Sequence, residues 1–473
     1  MLEIQKKFRL KRRIIELLDN NNKFLSVRQI SDLLPDEGFT AIKLACSELR
    51  EEFEYLYKPD EIEFIVNPRK GIKLIRKGHN IQKLIEYMIT ESLSYKIICS
   101  VFSERQVNVL DFCQTNFISK STLARQLKTI NETLHNHGMH IAFSNRMTLK
   151  GEEGTIRLFL QLFLFSIHST INSIDWIHET DEYVELTKQI LYYLNIPAIE
   201  NQIQHLAIFV FVISNGIQQN ENISTEDVTL KYAEFYEFQP KPFFLESWTD
   251  TDWQFFLLYV YSSNISSLAF ALKKVAARPF KNETTLWIEK FEEVFGSLSK
   301  QQKTELFDML ERQLQFDSMI FFDNFLLEIF EIIRLENLVE DFPDYLEYFE
   351  RFWKSITESC DKFANSEYLQ TMSFLNSMYL VKLIAFNPVV RIFVYSDISH
   401  LHKNFIEDRI NYHLSKYNVD FVTTSKNADI IVSTGNFLNQ LTKQQQIVEI
   451  RSSLPNIDLL SVERAVEFVF DGE

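Results

Sequence analysis

The chain has 473 residues, 46% of them hydrophobic and 24% charged, and its formal net charge is −16. This composition excludes a disordered or fibrous protein, and the length allows about three or four domains of ordinary size. Only ten glycines and ten prolines are present, and their scarcity favours helix. We therefore predict a mainly α-helical, multidomain protein.

The four cysteines lie far apart and form no Cys-x-x-Cys pair. The sequence thus indicates neither a disulfide framework nor a zinc site, and no cofactor is expected. The basic N-terminus lacks the apolar run of a signal peptide, and stretches such as residues 158–167 are too short to cross a bilayer. We expect a cytoplasmic protein that does not contact a membrane.

The charges are unevenly distributed along the chain. Residues 1–150 hold 24 Lys and Arg against 18 Asp and Glu, whereas residues 151–473 hold 25 against 47. We expect a nucleic acid to meet the basic N-terminal third, because phosphate repels the acidic remainder.

Residues 1–80 are predicted to form a first winged helix-turn-helix domain. A basic helix over residues 8–20 precedes a helix with Ser26 and Gln29 at capping-box spacing, and a longer helix capped by Thr40 follows. The exposed face of that longer helix mixes cations with carboxylates, which is poor chemistry for binding DNA.

A hairpin is predicted to follow, with Arg69 and Lys70 at its tip. We expect this first domain to assist in binding, with Arg69 and Lys70 as its contacts to DNA.

Residues 81–151 are predicted to form a second winged helix-turn-helix domain, the main reader of DNA. A helix predicted over residues 78–96 connects the two domains. Residues 101–116 indicate the first helix of the second domain, with Ser103 and Gln106 at capping-box spacing, and the helix after Ser119 follows it across a short turn. Two short strands that turn at Ser144 and Asn145 complete the order helix, turn, helix and wing.

The helix after Ser119 carries the residues best suited to DNA. Ser119 is a good N-cap residue, and Leu123, Leu127, Ile130 and Leu134 recur at the spacing of a buried helical stripe. Hydrogen-bond donors suit phosphates and base edges, although a solvated surface helix shows the same pattern. The opposite face holds Lys120, Ser121, Thr122, Arg125, Gln126, Lys128 and Thr129, with no carboxylate before Glu132.

The remainder divides into helical blocks and an α/β tail. Residues 152–280 and 281–386 are predicted to be two helical bundles, whose apolar residues packing alone explains. Residues 387–473 alternate strands and helices, which predicts a small parallel sheet. Ligands of such sheets bind at the carboxyl ends of the strands, where residues 396–401 have neither a glycine-rich phosphate loop nor a cysteine.

This domain order resembles the Mga and AtxA family of virulence regulators from low-GC Gram-positive bacteria. The similar segments are SKSTLARQLKTIN at 119–131, LKGEEGTIRLFL at 149–160 and HLAIFVFVIS at 205–214. The last resembles the histidine-bearing helix of a phosphotransferase regulation domain, and the tail resembles enzyme IIB of sugar phosphotransferase systems.

The resemblance implies a transcription regulator that binds double-stranded promoter DNA and forms a homodimer through its tail. It also implies modulation by the phosphocarrier protein of the sugar phosphotransferase system. The phosphoacceptor would be His205, with His168 and His178 as alternatives, although a histidine that opens an apolar helix is often only a core residue. The DNA-reading positions would be Lys120, Ser121, Thr122, Arg125 and Lys128.

Two departures from the family bear on function. No histidine lies between His205 and His400, so the second helical block has no phosphoacceptor. The tail lacks the acceptor cysteine at Ser396 and Asp397, so we expect it to be catalytically inactive and to serve dimerisation or sensing.

Other classes of function fit the sequence less well. The cluster His135, His137 and His140 has no cysteine or carboxylate partner nearby, which disfavours zinc. No nucleophile with its base and no nucleotide loop appears, so we do not expect an enzyme, although a phosphotransferase component stays open. The alternative is an RNA-binding antiterminator with phosphotransferase regulation domains, disfavoured because such proteins resemble one another in a β-rich RNA-binding N-terminus.

Overall fold

The computed structural model describes residues 2–21, 23–168, 170–263, 270–275, 278–322, 326, 335, 343–382, 386, 388–435 and 445–470. These residues are mainly helical. The chain forms two compact units. One comprises Met1–Lys281, Asp308–Ile332 and Ser366–Tyr368, and the other comprises Asn282–Phe307, Ile333–Asn365 and Leu369–Glu473. Within the described ranges, no helix is long and apolar enough to cross a membrane.

The first unit opens with three helices and an antiparallel hairpin. Ser26 and Gln29 form the predicted capping box at the start of the second helix. The third helix begins one residue before Thr40, so the predicted cap at Thr40 is wrong: Gly38 is the N-cap residue. Leu25 and Ile72 add a backbone bridge beside the hairpin. The elements are α1 Leu2–Asn20, α2 Val27–Leu33, α3 Phe39–Leu56, β1 Ile62–Asn67 and β2 Gly71–Arg76.

A second set of helices with a hairpin follows in the same unit. The elements are α4 Gln82–Thr90, α5 Leu93–Glu104, β3 Gln106–Asn108, α6 Val109–Thr115, α7 Lys120–Leu134, β4 His140–Phe143 and β5 Arg146–Lys150. Strands β3, β4 and β5 form one antiparallel sheet in the order β3-β5-β4. Ser144 and Asn145 connect β4 to β5, as the sequence predicts.

Two predicted helices in this region have different bounds. The helix predicted over residues 78–96 is two helices, because Ser92 caps a new one by accepting from the Tyr95 amide. The helix predicted over residues 101–116 is interrupted at Arg105, whose φ is +60°. The predicted Ser103 capping box is therefore wrong, and Asn108 caps the helix that follows.

Apolar helices make up most of the middle of the chain. Most residues of the helices over 153–167 and 200–218 are buried, including several polar ones. In the second predicted bundle, the apolar segment over residues 325–335 lies almost wholly outside the described residues. The elements are α8 Glu153–Ile167, α9 Thr180–Tyr193, α10 Glu200–Gln218, β6 Tyr236–Glu237, α11 Asp250–Ser262, β7 Lys273–Lys274, α12 Lys281–Phe295, α13 Lys300–Met319, α14 Pro343–Thr357, α15 Asp361–Ala364 and α16 Glu367–Leu380.

The tail forms the predicted parallel sheet. Its four strands run in the order β11-β10-β8-β9, and all three pairings are parallel. Apolar side chains of the strands and the two helices share one core. In the predicted alternation of strands and helices, the helix expected before the last strand falls on residues 436–444, outside the described residues. The elements are β8 Val389–Tyr395, α17 His400–His413, β9 Asn418–Phe421, β10 Ile430–Ser433, β11 Gln446–Glu449 and α18 Asn456–Phe470.

Candidate nucleic-acid interface

Local capping and a buried stripe position helix α7. The Ser119 hydroxyl accepts a hydrogen bond from the Thr122 amide at 3.1 Å, as predicted for an N-cap residue. Leu123, Leu127 and Ile130 are buried, and so is Leu134 at the end of the helix. The predicted core stripe is confirmed, and it fixes which face of α7 meets solvent.

The structure places most of the predicted DNA-reading residues on that face. Lys120, Ser121, Arg125 and Lys128 are exposed, whereas Thr122 is half-buried. Gln126 was predicted to share the exposed face, and this is wrong. Its side chain is 5% exposed and its Nε2 donates to Ser94 Oγ at 2.5 Å. Gln126 therefore fastens α7 to α5.

Asn131 and Phe143, which were not predicted as functional residues, hold the hairpin against α7. The Asn131 side chain donates to the Ile141 carbonyl at 2.9 Å and accepts from the Ile141 amide at 2.7 Å. Lys120 Nζ lies 5.6 Å from the centroid of the Phe143 ring, a cation–π distance. No local sequence signal marks these contacts, because they join residues ten or more positions apart.

The hairpin β1–β2 presents a second basic surface. Arg69 and Lys70 are exposed at its tip, and both amides donate to Asn67 Oδ1, at 2.9 and 3.0 Å. Lys70 Nζ and Lys73 Nζ lie 5.8 and 6.0 Å from the centroid of the Phe24 ring. The positively charged side chains of Arg69, Lys70 and Lys73 thus lie close together on this hairpin.

Helices α3 and α7 have the same arrangement of buried residues but different exposed chemistry. Ile42, Cys46, Leu49 and Phe53 repeat the spacing of Leu123, Leu127, Ile130 and Leu134. In that register, the exposed residues Lys120, Arg125 and Lys128 of α7 correspond to the exposed residues Phe39, Leu44 and Ser47 of α3. The three cationic positions of α7 are therefore uncharged in α3.

A buried network of charges adjoins the second hairpin. Arg157 is 0% exposed, and its guanidinium donates to Glu153 at 2.7 Å, to Asp252 at 2.6 Å and to the Glu221 carbonyl at 2.6 Å. Arg105 extends the network by donating to Glu153 at 2.7 Å, and its own carbonyl accepts from the Leu149 amide. The sequence showed only isolated charges here.

His205, the predicted phosphoacceptor, lies within α10 and is half-buried. Its Nε2 is 2.7 Å from the Tyr259 hydroxyl, and its ring stacks on Phe165. Burial lowers the pKa of His205 from 6.5 to about 3, and it also raises the pKa of Tyr259. The imidazole is therefore neutral near pH 7, and its Nε2 shares a hydrogen bond with the Tyr259 hydroxyl.

The two alternative histidines have different surroundings. His168 is buried, with Nδ1 2.7 Å from Glu86 Oε1 and Nε2 2.8 Å from the Tyr95 hydroxyl. His178 is exposed. Both ring nitrogens of His168 are thus engaged by neighbouring side chains.

The loop after β8 lies at the carboxyl edge of the tail sheet. Ser396 Oγ is 2.7 Å from His402 Nδ1, and the Thr434 hydroxyl donates to Asp397 Oδ1 at 2.6 Å.

In the cluster of His135, His137 and His140, the His137 ring packs edge-on against Phe159. Within the part of the chain that the structure describes, no group of three or more His, Cys, Asp or Glu residues is arranged to hold a metal ion.

One segment is similar to a known DNA-binding family. Residues 77–164 match the model of the Mga helix-turn-helix domain, a span that contains α4 to α7, both strands of the second hairpin and most of α8. No curated protein matches the chain. The match supports a DNA-binding transcription regulator of the Mga family and covers about a fifth of the chain.

Proposed function

We propose that the protein is an Mga-type transcription regulator that binds double-stranded promoter DNA through a winged helix-turn-helix domain over residues 81–151. The proposal rests mainly on the exposed cationic face of α7, which lies within a segment similar to the Mga helix-turn-helix domain. In this arrangement α7 enters the major groove and β4–β5 is the wing. Lys120, Arg125 and Lys128 meet phosphates and base edges, and Ser121 and Thr122 stand at the helix N-terminus.

The domain over residues 1–80 assists through its wing. Its helix α3 carries Phe39, Leu44 and Ser47 where α7 carries cations, so it has little to offer phosphate. Arg69 and Lys70 instead add two charges at the tip of a hairpin whose turn is held by Asn67. These charges are expected to contribute salt-dependent, sequence-independent affinity.

Residues 152–280 and 281–386 act as phosphotransferase regulation domains in this proposal, with His205 as the residue phosphorylated by the phosphocarrier protein. A neutral imidazole at pH 7 is the nucleophilic form, which supports this role. A phosphoryl group on Nε2 replaces the hydrogen bond from Tyr259 and adds up to two negative charges beside an apolar ring. Phosphorylation is thus expected to loosen α10 from α11. Mass spectrometry after incubation with the phosphorylated carrier tests it, and an unmodified His205 would count against it.

The enzyme IIB-like domain over residues 387–473 is the proposed homodimer surface. Strand β11 is the last strand at one edge of the described sheet. Beside it Phe468, which is 53% exposed, lines a shallow depression together with apolar and polar side chains of β11 and α18. Covering exposed apolar area favours association. Sedimentation of Phe468→Asp tests this surface, and a variant that remains dimeric would exclude it.

The DNA-binding proposal is tested by titrating a labelled duplex with the full chain at several salt concentrations. Lys120→Ala with Arg125→Ala is expected to weaken binding and to lower the salt slope by about two, since each lost phosphate contact removes about 0.9. The control, Lys188→Ala with Lys231→Ala, removes equal charge outside the matched segment and is expected to bind as the parent does. Equal binding by the first variant, or preference for a hairpin RNA, would overturn the proposal.

A further inference from the structure

Phe117 occupies a conformation that its side chain disfavours. It follows helix α6 with φ of +52°. Its amide donates to the Gln114 carbonyl at 3.2 Å, and the Ile118 amide donates to the Cys113 carbonyl at 3.0 Å. This pair of bonds is the Schellman motif, in which the left-handed position is usually glycine because a Cβ there is strained.

The same side chain makes almost no contact with the protein. At 97% exposure, Phe117 is the most exposed large hydrophobic residue in the described part of the chain. Its neighbour Ile118 is half-buried just before the cap of α7, where an apolar residue packs on the first turns of a helix. Ile118 thus has a structural role, whereas the Phe117 ring contributes nothing to the packing of the fold.

The position of Phe117 relates it to the cationic face. It stands three residues before Lys120 and two before the Ser119 cap, at the end of α7 that the proposed docking directs toward DNA. The corresponding turn between α2 and α3 contains Pro35, Asp36, Glu37 and Gly38, without an aromatic residue. In the register that aligns α3 with α7, Asp36 takes the place of Phe117, so this aromatic ring is specific to the turn that precedes the cationic face of α7.

We propose that Phe117 is a DNA contact, which packs its ring against apolar groups of duplex DNA at the edge of the groove that α7 enters. This inference rests on the proposed function. The apolar groups in reach of such a ring are thymine methyls and the faces of deoxyribose. The contact explains both anomalies, because a strained and exposed residue persists where binding rather than folding requires it.

The test compares Phe117→Gly and Phe117→Ala with the parent in full-length protein, by duplex titration and by thermal unfolding. Both variants are expected to bind duplex DNA about tenfold more weakly, with an unchanged salt slope, because apolar contact and no charge is lost. Phe117→Gly is expected to keep or raise Tm, since glycine relieves the left-handed strain. Phe243→Ala, at an 88% exposed position, is the matched control and is expected to bind as the parent does.

A duplex with deoxyuridine in place of thymidine separates the two apolar partners. If the ring contacts methyl groups, the parent binds this duplex more weakly than the thymidine duplex, whereas Phe117→Gly binds both with equal affinity. If the ring contacts sugars, neither protein distinguishes the two duplexes. Parental affinity in Phe117→Gly would overturn the inference, as would a loss of affinity matched by a loss of Tm. An altered oligomeric state with unchanged DNA affinity would assign the ring to a protein contact instead. Failure of the parent itself to bind duplex DNA would overturn the proposed function as well.

Discussion

Arg157→Met is expected to destabilise the first unit strongly, because it removes the centre of the buried charge network. Arg157 makes three hydrogen bonds of 2.6 to 2.7 Å, to Glu153, Asp252 and the Glu221 carbonyl. Glu153 keeps Arg105 as a partner in the variant, but Asp252, at 0% exposure, keeps only the hydrogen bonds by which it caps α11. Removing one member of a buried ion pair costs about 3–5 kcal/mol, since the other charge is left uncompensated.

The assay is urea unfolding followed by tryptophan fluorescence, where Trp253 stands next to Asp252 in the chain and is itself buried. With a slope of about 3 kcal/mol/M, a loss of about 4 kcal/mol lowers the midpoint by roughly 1.3 M. Adding Asp252→Asn is expected to cost about 2 kcal/mol less than the sum of the single changes, because the orphaned carboxylate is then absent.

The control for this prediction is Arg50→Ala, which removes the exposed pair with Glu54. No measurable change in the midpoint is expected, because solvent screens exposed pairs. A midpoint for Arg157→Met within roughly 0.3 M of the parent would refute the reasoning, and so would additive single and double variants, since either result means that Asp252 does not depend on Arg157.

Two further predictions concern acid stability and backbone strain. The pKa of His205 is lowered from 6.5 to about 3 by burial. The unfolded chain therefore binds the extra proton between these values, and stability falls as pH decreases from 6.5. His205→Gln is expected to flatten this acid limb in unfolding measured from pH 7 to pH 4, and an unchanged limb would contradict the burial. Gly71→Ala is expected to cost more than about 2 kcal/mol, because φ is +106° and the new Cβ would lie 2.4 Å from the Leu25 carbonyl oxygen. Gly78→Ala, with φ of +78° and open space around it, is expected to cost only about 1 kcal/mol in the same urea assay, and equal losses would rule out the clash.

The sequence predicts α7 well because its determinants are local. A cap at Ser119 and apolar residues three and four positions apart act within one helix. The parallel sheet of the tail is predicted equally well, since apolar strands alternate with helical spans in the sequence. In both cases the residues that specify the element lie inside it.

The sequence fails where a distant partner decides the outcome. Gln126 lies at the margin of the buried stripe, and only Ser94, which belongs to another helix, determines that it faces inward. The three-residue strand β3 breaks a helical pattern because it pairs with β5, about forty residues later. Arg157 and Asp252 are of residue types that usually lie at the surface, and each can be buried because it pairs with the other.

The network also joins helices α8 and α11 to the second hairpin. Arg105 ends helix α5 with a left-handed backbone, its carbonyl accepts from Leu149 in strand β5, and its guanidinium binds Glu153 in α8. Glu153 in turn binds Arg157, which reaches α11 through Asp252. A movement of α8 must either carry Arg105 with it or separate Arg105 from Glu153, and the second course removes the ion-pair partner of a buried guanidinium at a cost of several kcal/mol. The ion pair between Arg105 and Glu153 therefore joins the backbone beside β5 to α8, and Arg157 extends this connection to α11.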